Sequence, residues 1–105
     1  MKLVNGKINW TSQAKYDLKE IFNFIAKDSR KYAHQQISKI RVKVLHLKTQ
    51  TNLGKINKEF NDDNIREFIV GNYRIIYRIK NKDRIDILLV HHGARNLTYR
   101  IKNLK

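Results

Sequence analysis

Four side chains in the second half of the chain, Glu67, Arg74, His92 and Arg95, have the chemistry to hold and cut a phosphodiester. Arginine forms paired hydrogen bonds to phosphate oxygens and stabilises charge that builds up at phosphorus. Histidine moves a proton near neutral pH, and a carboxylate such as Glu67 can serve as the base. Together they would suffice for RNA cleavage through the 2′-hydroxyl. Spacing alone makes the set weakly specific, because any basic sheet can gather such a group by chance. Around it, Arg66, Arg78, Lys55 and Lys58 offer further cations for a phosphate or an acidic target.

Other chemistries fare worse. His91 and His92 are adjacent, and neighbours on a strand face opposite ways, so they are poor joint ligands for one metal. His34 and His46 have no matching partners, and the chain has no cysteine, so neither a metal nor a disulfide is expected. There is no glycine-rich phosphate loop and no nucleophile in a recognisable elbow, and no cofactor is implied. His91 is read as a structural histidine on the core side, beside Tyr73.

These residues must be positioned by strands. Gly71-Asn72 is a two-residue turn between alternating segments, which pairs Val70 with Tyr73, Ile69 with Arg74, Phe68 with Ile75 and Glu67 with Ile76. A three-residue turn at Asn81, Lys82 and Asp83 sets Ile79 opposite Ile85, Tyr77 opposite Ile87 and Ile75 opposite Leu89. One face then carries Phe68, Val70, Tyr73, Ile75, Tyr77, Ile79, Ile85, Ile87 and Leu89 for a core. The other carries Glu67, Ile69, Arg74, Ile76, Arg78, Asp86, Leu88, Val90 and His92. In this register Arg78 opposes Asp86 as a cross-strand ion pair, and Arg74 lies opposite Val90 and diagonal to His92 and Glu67.

Upstream, Ile8 and Trp10 alternate with polar residues as a short first strand. Thr11 or Ser12 caps a helix over about 12–27 whose apolar stripe is Ala14, Leu18, Ile21, Phe22 and Ile25. Asp28 or Ser29 caps a second, to about residue 48, through Ala33, Ile37, Ile40, Val44 and Leu47. Its polar face carries Arg30, Lys31, Lys39, Arg41 and Lys43. In residues 49–64 periodicity fails around Gly54 and Asn61, and the expected connection is long, with at most a short turn of helix or strand. The expected fold is α+β: a short N-terminal strand, a helical hairpin and an antiparallel three-stranded meander, helices on one sheet face. Residues 1–105 are read as a single domain.

The formal net charge of +14 favours polyanions through counterion release, so nucleic acid, a ribonucleoprotein or an acidic protein are the partners it suits. The longest apolar run, residues 87–90, cannot cross a bilayer, and the stretch MKLVNGKINW lacks the apolar core of a signal peptide. A cytoplasmic protein without membrane contact is expected.

The order of INWTSQAKYDLKEIFNFIAKDS, a second helix, IREFIVGNYRIIYRI and a closing VHHGAR resembles the RelE/ParE superfamily of type II toxin–antitoxin toxins. The resemblance spans nearly the whole chain, with DLKEIFNFIAKDS, YRIIY and the His-x-x-Arg of His92 and Arg95 as its most telling pieces. It implies a βααβββ fold and a toxin neutralised by a cognate acidic antitoxin, in a plasmid-stabilisation or stress-response module that meets operator DNA only through the antitoxin. In the RelE branch such toxins cleave mRNA at the ribosome, and in the ParE branch they inhibit DNA gyrase and need not be enzymes. By resemblance Arg74 and Arg95 match arginines that RelE-type enzymes use, and Tyr99 stands loosely for a C-terminal tyrosine. RelE-type lysines are absent from the strand before the hairpin, where Ile65, Arg66 and Glu67 stand instead. The DLKEIFNFIAKDS helix and the His-x-x-Arg ending look more like ParE, which makes gyrase inhibition the first reading. RelE-like mRNA cleavage is the alternative, and a non-toxic basic nucleic-acid-binding protein the third.

Overall fold

A computed structural model describes residues 6–93, 95–97 and 100. Strand β1 (Lys7–Trp10) leads into helix α1 (Ser12–Ala26), and helix α2 (Arg30–Leu45) runs on into a 3₁₀ turn (His46–Lys48). A two-residue strand β2 (Lys55–Ile56), a second 3₁₀ turn (Lys58–Phe60) and strands β3 (Ile65–Val70), β4 (Tyr73–Asn81) and β5 (Arg84–His92) follow. The sheet order is β1-β5-β4-β3-β2, with β1 parallel to β5 and the other pairs antiparallel. The fold is the α+β arrangement expected from the sequence, and the long connection contributes the small edge strand β2.

Both helices start where hydroxyls can cap them. Thr11 accepts from the Ala14 amide and Ser29 from the Tyr32 amide, each at 3.1 Å. Such a cap stabilises a helix by about 1 kcal/mol. Thr11 also donates its hydroxyl hydrogen to the Ile87 carbonyl at 2.8 Å, which ties the start of α1 to β5 where β1 ends.

The helices cover one face of the sheet. Ala14, Leu18, Ile40, Val44 and Leu47 pack on Phe68, Tyr73, Ile75, Tyr77, Ile85, Ile87 and Val90. Tyr77 is fully buried, and its hydroxyl donates to the Thr51 carbonyl at 2.8 Å and accepts from the Gly54 amide at 2.9 Å. That bond fixes the loop over the end of the core. A Cβ at Gly54 would stand 2.5 Å from the Glu67 carbonyl oxygen, so only glycine permits the approach.

The Gly71-Asn72 hairpin has the expected register throughout, with Gly71 at φ 59° and no positive φ at Asn72, the pattern of a type II′ turn. The β4–β5 pairing agrees with expectation only near its turn: Ile79 opposes Ile85, Arg78 opposes Asp86 and Tyr77 opposes Ile87. Asn81 pairs with Arg84, so Lys80 is an extra residue and the turn proper is Lys82-Asp83.

Beyond Tyr77 a bulge at Leu88 shifts the register by one. Ile75 therefore opposes Val90 rather than Leu89, and Arg74 opposes His91 rather than Val90. Because side chains alternate, one extra residue exchanges the faces of everything after it. Val90 and His92 go to the helix face, while Leu89 and His91 go to the other. The second face is also covered in part, since Ile65, Ile76, Leu88, Leu89 and Leu97 form a smaller apolar cluster with Phe60 packed against it.

Candidate functional site

On the face away from the helices, Arg74 and Glu67 make a two-pronged ion pair. Arg74 Nε donates to Glu67 Oε2 and Nη2 to Glu67 Oε1, both at 2.8 Å. Nη2 also donates to Glu59 Oε1 at 2.7 Å, from the turn that follows β2. Asn57 Nδ2 donates to Glu67 Oε1 at 2.8 Å, and Asn57 is itself held because its amide bonds the Ile65 carbonyl. Lys55 pairs in register with Glu67 and adds a second positive charge at the edge.

The electrostatics follow from these contacts. The Arg74 hydrogen bond holds the Glu67 carboxyl below its ordinary range even though burial pushes it up, with the Arg74 and Lys55 charges and Asn57 helping. Glu67 and then Glu59 hold the Arg74 guanidinium above its usual value against the opposing effect of burial. Glu67 is therefore a buried, ionised ion-pair partner rather than a base poised to take a proton. Three of the five N–H donors on Arg74 are engaged by carboxylates, and a phosphate would have to displace them.

His91, read from the sequence as a core residue, shares this face with Arg74. Arginine only donates, so the 3.2 Å contact from Arg100 Nη1 makes His91 Nδ1 the acceptor. The Nε2 hydrogen then goes to the Arg95 carbonyl at 2.9 Å. Burial lowers the His91 pKa, and the Arg100 and Arg74 charges reinforce this against the Arg95 carbonyl and Asp17. The ring is neutral and both nitrogens are used. Arg100 continues to Asp17 on α1, bonding both carboxylate oxygens at 2.8 and 2.6 Å. Asp17 in turn accepts the Val90 amide at 3.0 Å, on the edge of β5 that β1 is too short to reach.

The remaining expected residues scatter. His92 turns to the helix face, where its ring meets Tyr73 edge to face at 5.5 Å. Arg95 is exposed, and its amide bonds the His92 carbonyl. Arg66 lies on the helix side, giving Nη1 to the Gly54 carbonyl at 2.7 Å, while its Nε is buried without a partner among the described residues. Arg78 faces Asp62 across 3.7 Å and not Asp86, which Arg84 holds at 2.7 Å with Asn9 at 3.1 Å. Lys55 and Lys58 are exposed. Tyr99 lies outside the described residues.

The structure thus brings Arg74, Glu67 and His91 together and takes His92 away. Glu59 and Asn57 escape sequence reasoning because a loop without periodicity gives no direction to its side chains. His91 had a signal. Alternation holds through Ile85-Asp86-Ile87 and fails at Leu88-Leu89-Val90, where an extra residue can be inserted without placing a charge in the core. Among the described residues there is no cluster of metal-ligating side chains and no helix long and apolar enough to cross a membrane.

Comparison with known proteins gives these observations a family. No curated protein matches the chain. Among solved structures it is similar to the chromosomal ParDE toxin–antitoxin system from P. aeruginosa, with a TM-score of 0.71 and 19% identity over 84% of this chain and 96% of that one. It is also similar to the toxin–antitoxin complex RelBE2 from Mycobacterium tuberculosis, with a TM-score of 0.55 and 21% identity over 90% of this chain and 98% of that one. At such identities the likeness carries the fold alone. The model of the ParE toxin of the type II toxin–antitoxin system parDE, however, matches residues 8–97. That span covers both helices, the whole hairpin sheet and the turn after it, so the chain belongs to the ParE toxin family of type II toxin–antitoxin systems.

Proposed function

We propose that this toxin arrests growth by binding and inhibiting DNA gyrase, without cutting a nucleic acid itself. The observation that carries this reading is the ion network around Arg74. The arginine that phosphodiester cleavage would use is neutralised by Glu67 and Glu59, and His91 beside it has both ring nitrogens engaged. A site built for phosphoryl chemistry needs donors preorganised for the developing charge, not ones already engaged by carboxylates. Exposed cations remain for protein contacts at Lys55, Lys58 and Arg95, with Arg78 half exposed. The partner that restrains it is an acidic antitoxin, which the net charge of +14 suits, and operator DNA is met only through that antitoxin.

The test is to induce the chain and follow mRNA integrity at ribosomes beside supercoiling by purified gyrase. The expected result is lost supercoiling with intact mRNA. Cleaved mRNA with supercoiling unaffected overturns the reading in favour of a RelE-like endoribonuclease. Arg95→Ala and Arg74→Lys are expected to reduce toxicity, Arg95 as a contact and Arg74 as the organiser of the charged face. Folded variants that still arrest growth would remove both from the site. Co-expression of a small acidic protein encoded beside the chain is expected to restore growth.

A further inference from the structure

A concavity lies on the helix side of the sheet, behind Arg74 and His91, where α1 and α2 meet the Gly71-Asn72 turn. It is a cavity of about 310 Å³ walled by the rings of Phe24, Tyr32, Tyr73 and His92. Phe24 is 68% exposed and Tyr32 52%, an unusual amount of aromatic surface to leave in water at one place. Gln36 also lines the cavity, only 9% exposed, and its side-chain amide makes no hydrogen bond among the described residues. Its Oε1 lies 3.6 Å from the place a Cβ would take on Gly71, beside the turn. The amide is not sealed from water, so an occupant that fills the cavity would desolvate it and must bring a donor and an acceptor of its own. Asp28 adds a carboxylate to the lining, and Lys27 Nζ sits 5.9 Å from the centre of the Phe24 ring.

These groups select among occupants. An apolar side chain from a partner would satisfy the rings but leave the Gln36 amide and Asp28 unmatched. A cationic side chain would suit the rings and Asp28, but a chain of net charge +14 repels a basic partner. A nucleobase answers every feature. Its flat face stacks on aromatic rings, its edge offers the adjacent donor and acceptor that a glutamine amide matches on adenine, and an exocyclic amino group can donate to Asp28. Lys27 at the rim can meet the phosphate, and the overall charge draws the strand in.

We propose that this cavity binds one unstacked nucleobase of a single-stranded nucleic acid, with adenine favoured over uracil. It is separate from the charged sheet face, and it stands or falls independently of whether gyrase is the target.

The experiment uses fluorescence anisotropy of the full chain with short single strands of equal length at fixed salt: oligo-A, oligo-U and an abasic strand. Oligo-A is expected to bind about tenfold or more tightly than the abasic strand, the gain that stacking gives. Tyr32→Ala and Gln36→Leu are expected to abolish that gain while the salt dependence stays as in the unaltered chain, because phosphate contacts persist. Tyr32 is exposed and the Gln36 amide bonds no described residue, so both variants are expected to fold, which circular dichroism checks. Equal affinity for oligo-A and the abasic strand overturns the proposal, as do folded variants that keep the oligo-A preference. The Gln36 side-chain amide resonances separate the sources. A shift with AMP assigns the pocket to free nucleotides as well, and a shift with oligo-A alone assigns it to strands. Amide resonances unmoved by AMP and by strands but shifted by a co-expressed partner protein overturn it.

Discussion

The two faces of the sheet are closed by different means. On the helix face, Ile75, Tyr77, Ile85 and Ile87 are fully buried under two amphipathic helices, and the closure is almost wholly apolar. On the other face, Ile76 and Leu89 are equally buried, yet the lid is made of Phe60, Leu97 and a carboxylate–arginine network anchored by loop residues. A helix lid supplies its own backbone hydrogen bonds, so it can be apolar. A loop lid must satisfy its polar groups elsewhere, and here Asn57, Glu59 and Glu67 take that part.

If both faces are true cores, neighbouring residues on opposite sides should cost alike. Ile75→Ala and Ile76→Ala, each fully buried, are expected to destabilise the chain by about 2–5 kcal/mol apiece, read from urea unfolding. A cost below about 1 kcal/mol for Ile76→Ala alone would mean that the loop lid collapses onto the gap and the second face is not a packed core.

The polar part of that lid has its own signature. Glu67→Gln is expected to cost about 1–3 kcal/mol, the range for losing charged hydrogen bonds. It should also change the dependence on pH. Arg74 lowers the folded pKa of Glu67, so between that value and the ordinary 4.5 the unfolded chain binds more protons. The stability from this pair is fully present above 4.5 and is lost as pH falls through the lowered folded pKa. Unfolding midpoints measured across acid pH should fall less steeply for Glu67→Gln, and an unchanged slope would show that Glu67 is not the group titrating.

How far the sequence reveals each face follows from the same difference. Most of the helix face was legible because apolar spacing in the helices and the Gly71-Asn72 turn are local signals that kept their register, although Leu89, expected there, gave way to Val90. On β5 both faces were legible only up to Ile87. The Leu88 bulge lies in an unbroken apolar run, and no local pattern says which residue is the extra one, so His91 and His92 exchanged faces. The lid residues were hidden for another reason. Asn57 and Glu59 reach Glu67 and Arg74 through a loop held by the Tyr77 hydroxyl and the close approach at Gly54, contacts that depend on the finished core.

The exchange of faces can be checked at His91 directly. Burial lowers its folded pKa, so below the ordinary value of 6.5 the unfolded chain takes up the proton first. The stability that neutral His91 gives is present above 6.5 and declines as pH falls towards the folded value. Nitrogen-15 chemical shifts should report an Nε2-protonated neutral ring near neutral pH, and His91→Phe is expected to cost about 1 kcal/mol through its two lost hydrogen bonds. An imidazolium spectrum at neutral pH would instead return His91 to an open, solvated position.

The smallest effect is expected at Arg78, where the sheet's second face reaches solvent. The sequence register pairs it with Asp86, and the backbone keeps that opposition. The side chains do not, because Arg84, two residues before Asp86 on the same strand, reaches the carboxylate first at 2.7 Å and Arg78 is left with Asp62 at 3.7 Å. Both members of that longer pair are 37% exposed, so water and salt screen most of their attraction. Arg78→Ala is therefore expected to change stability by less than about 0.5 kcal/mol, whereas a true Arg78–Asp86 pair at the sheet surface would make the double variant with Asp86→Ala non-additive. Additive losses in that cycle place Arg78 outside the network that closes the second face, and a coupling above about 0.5 kcal/mol would extend the network to the end of the sheet.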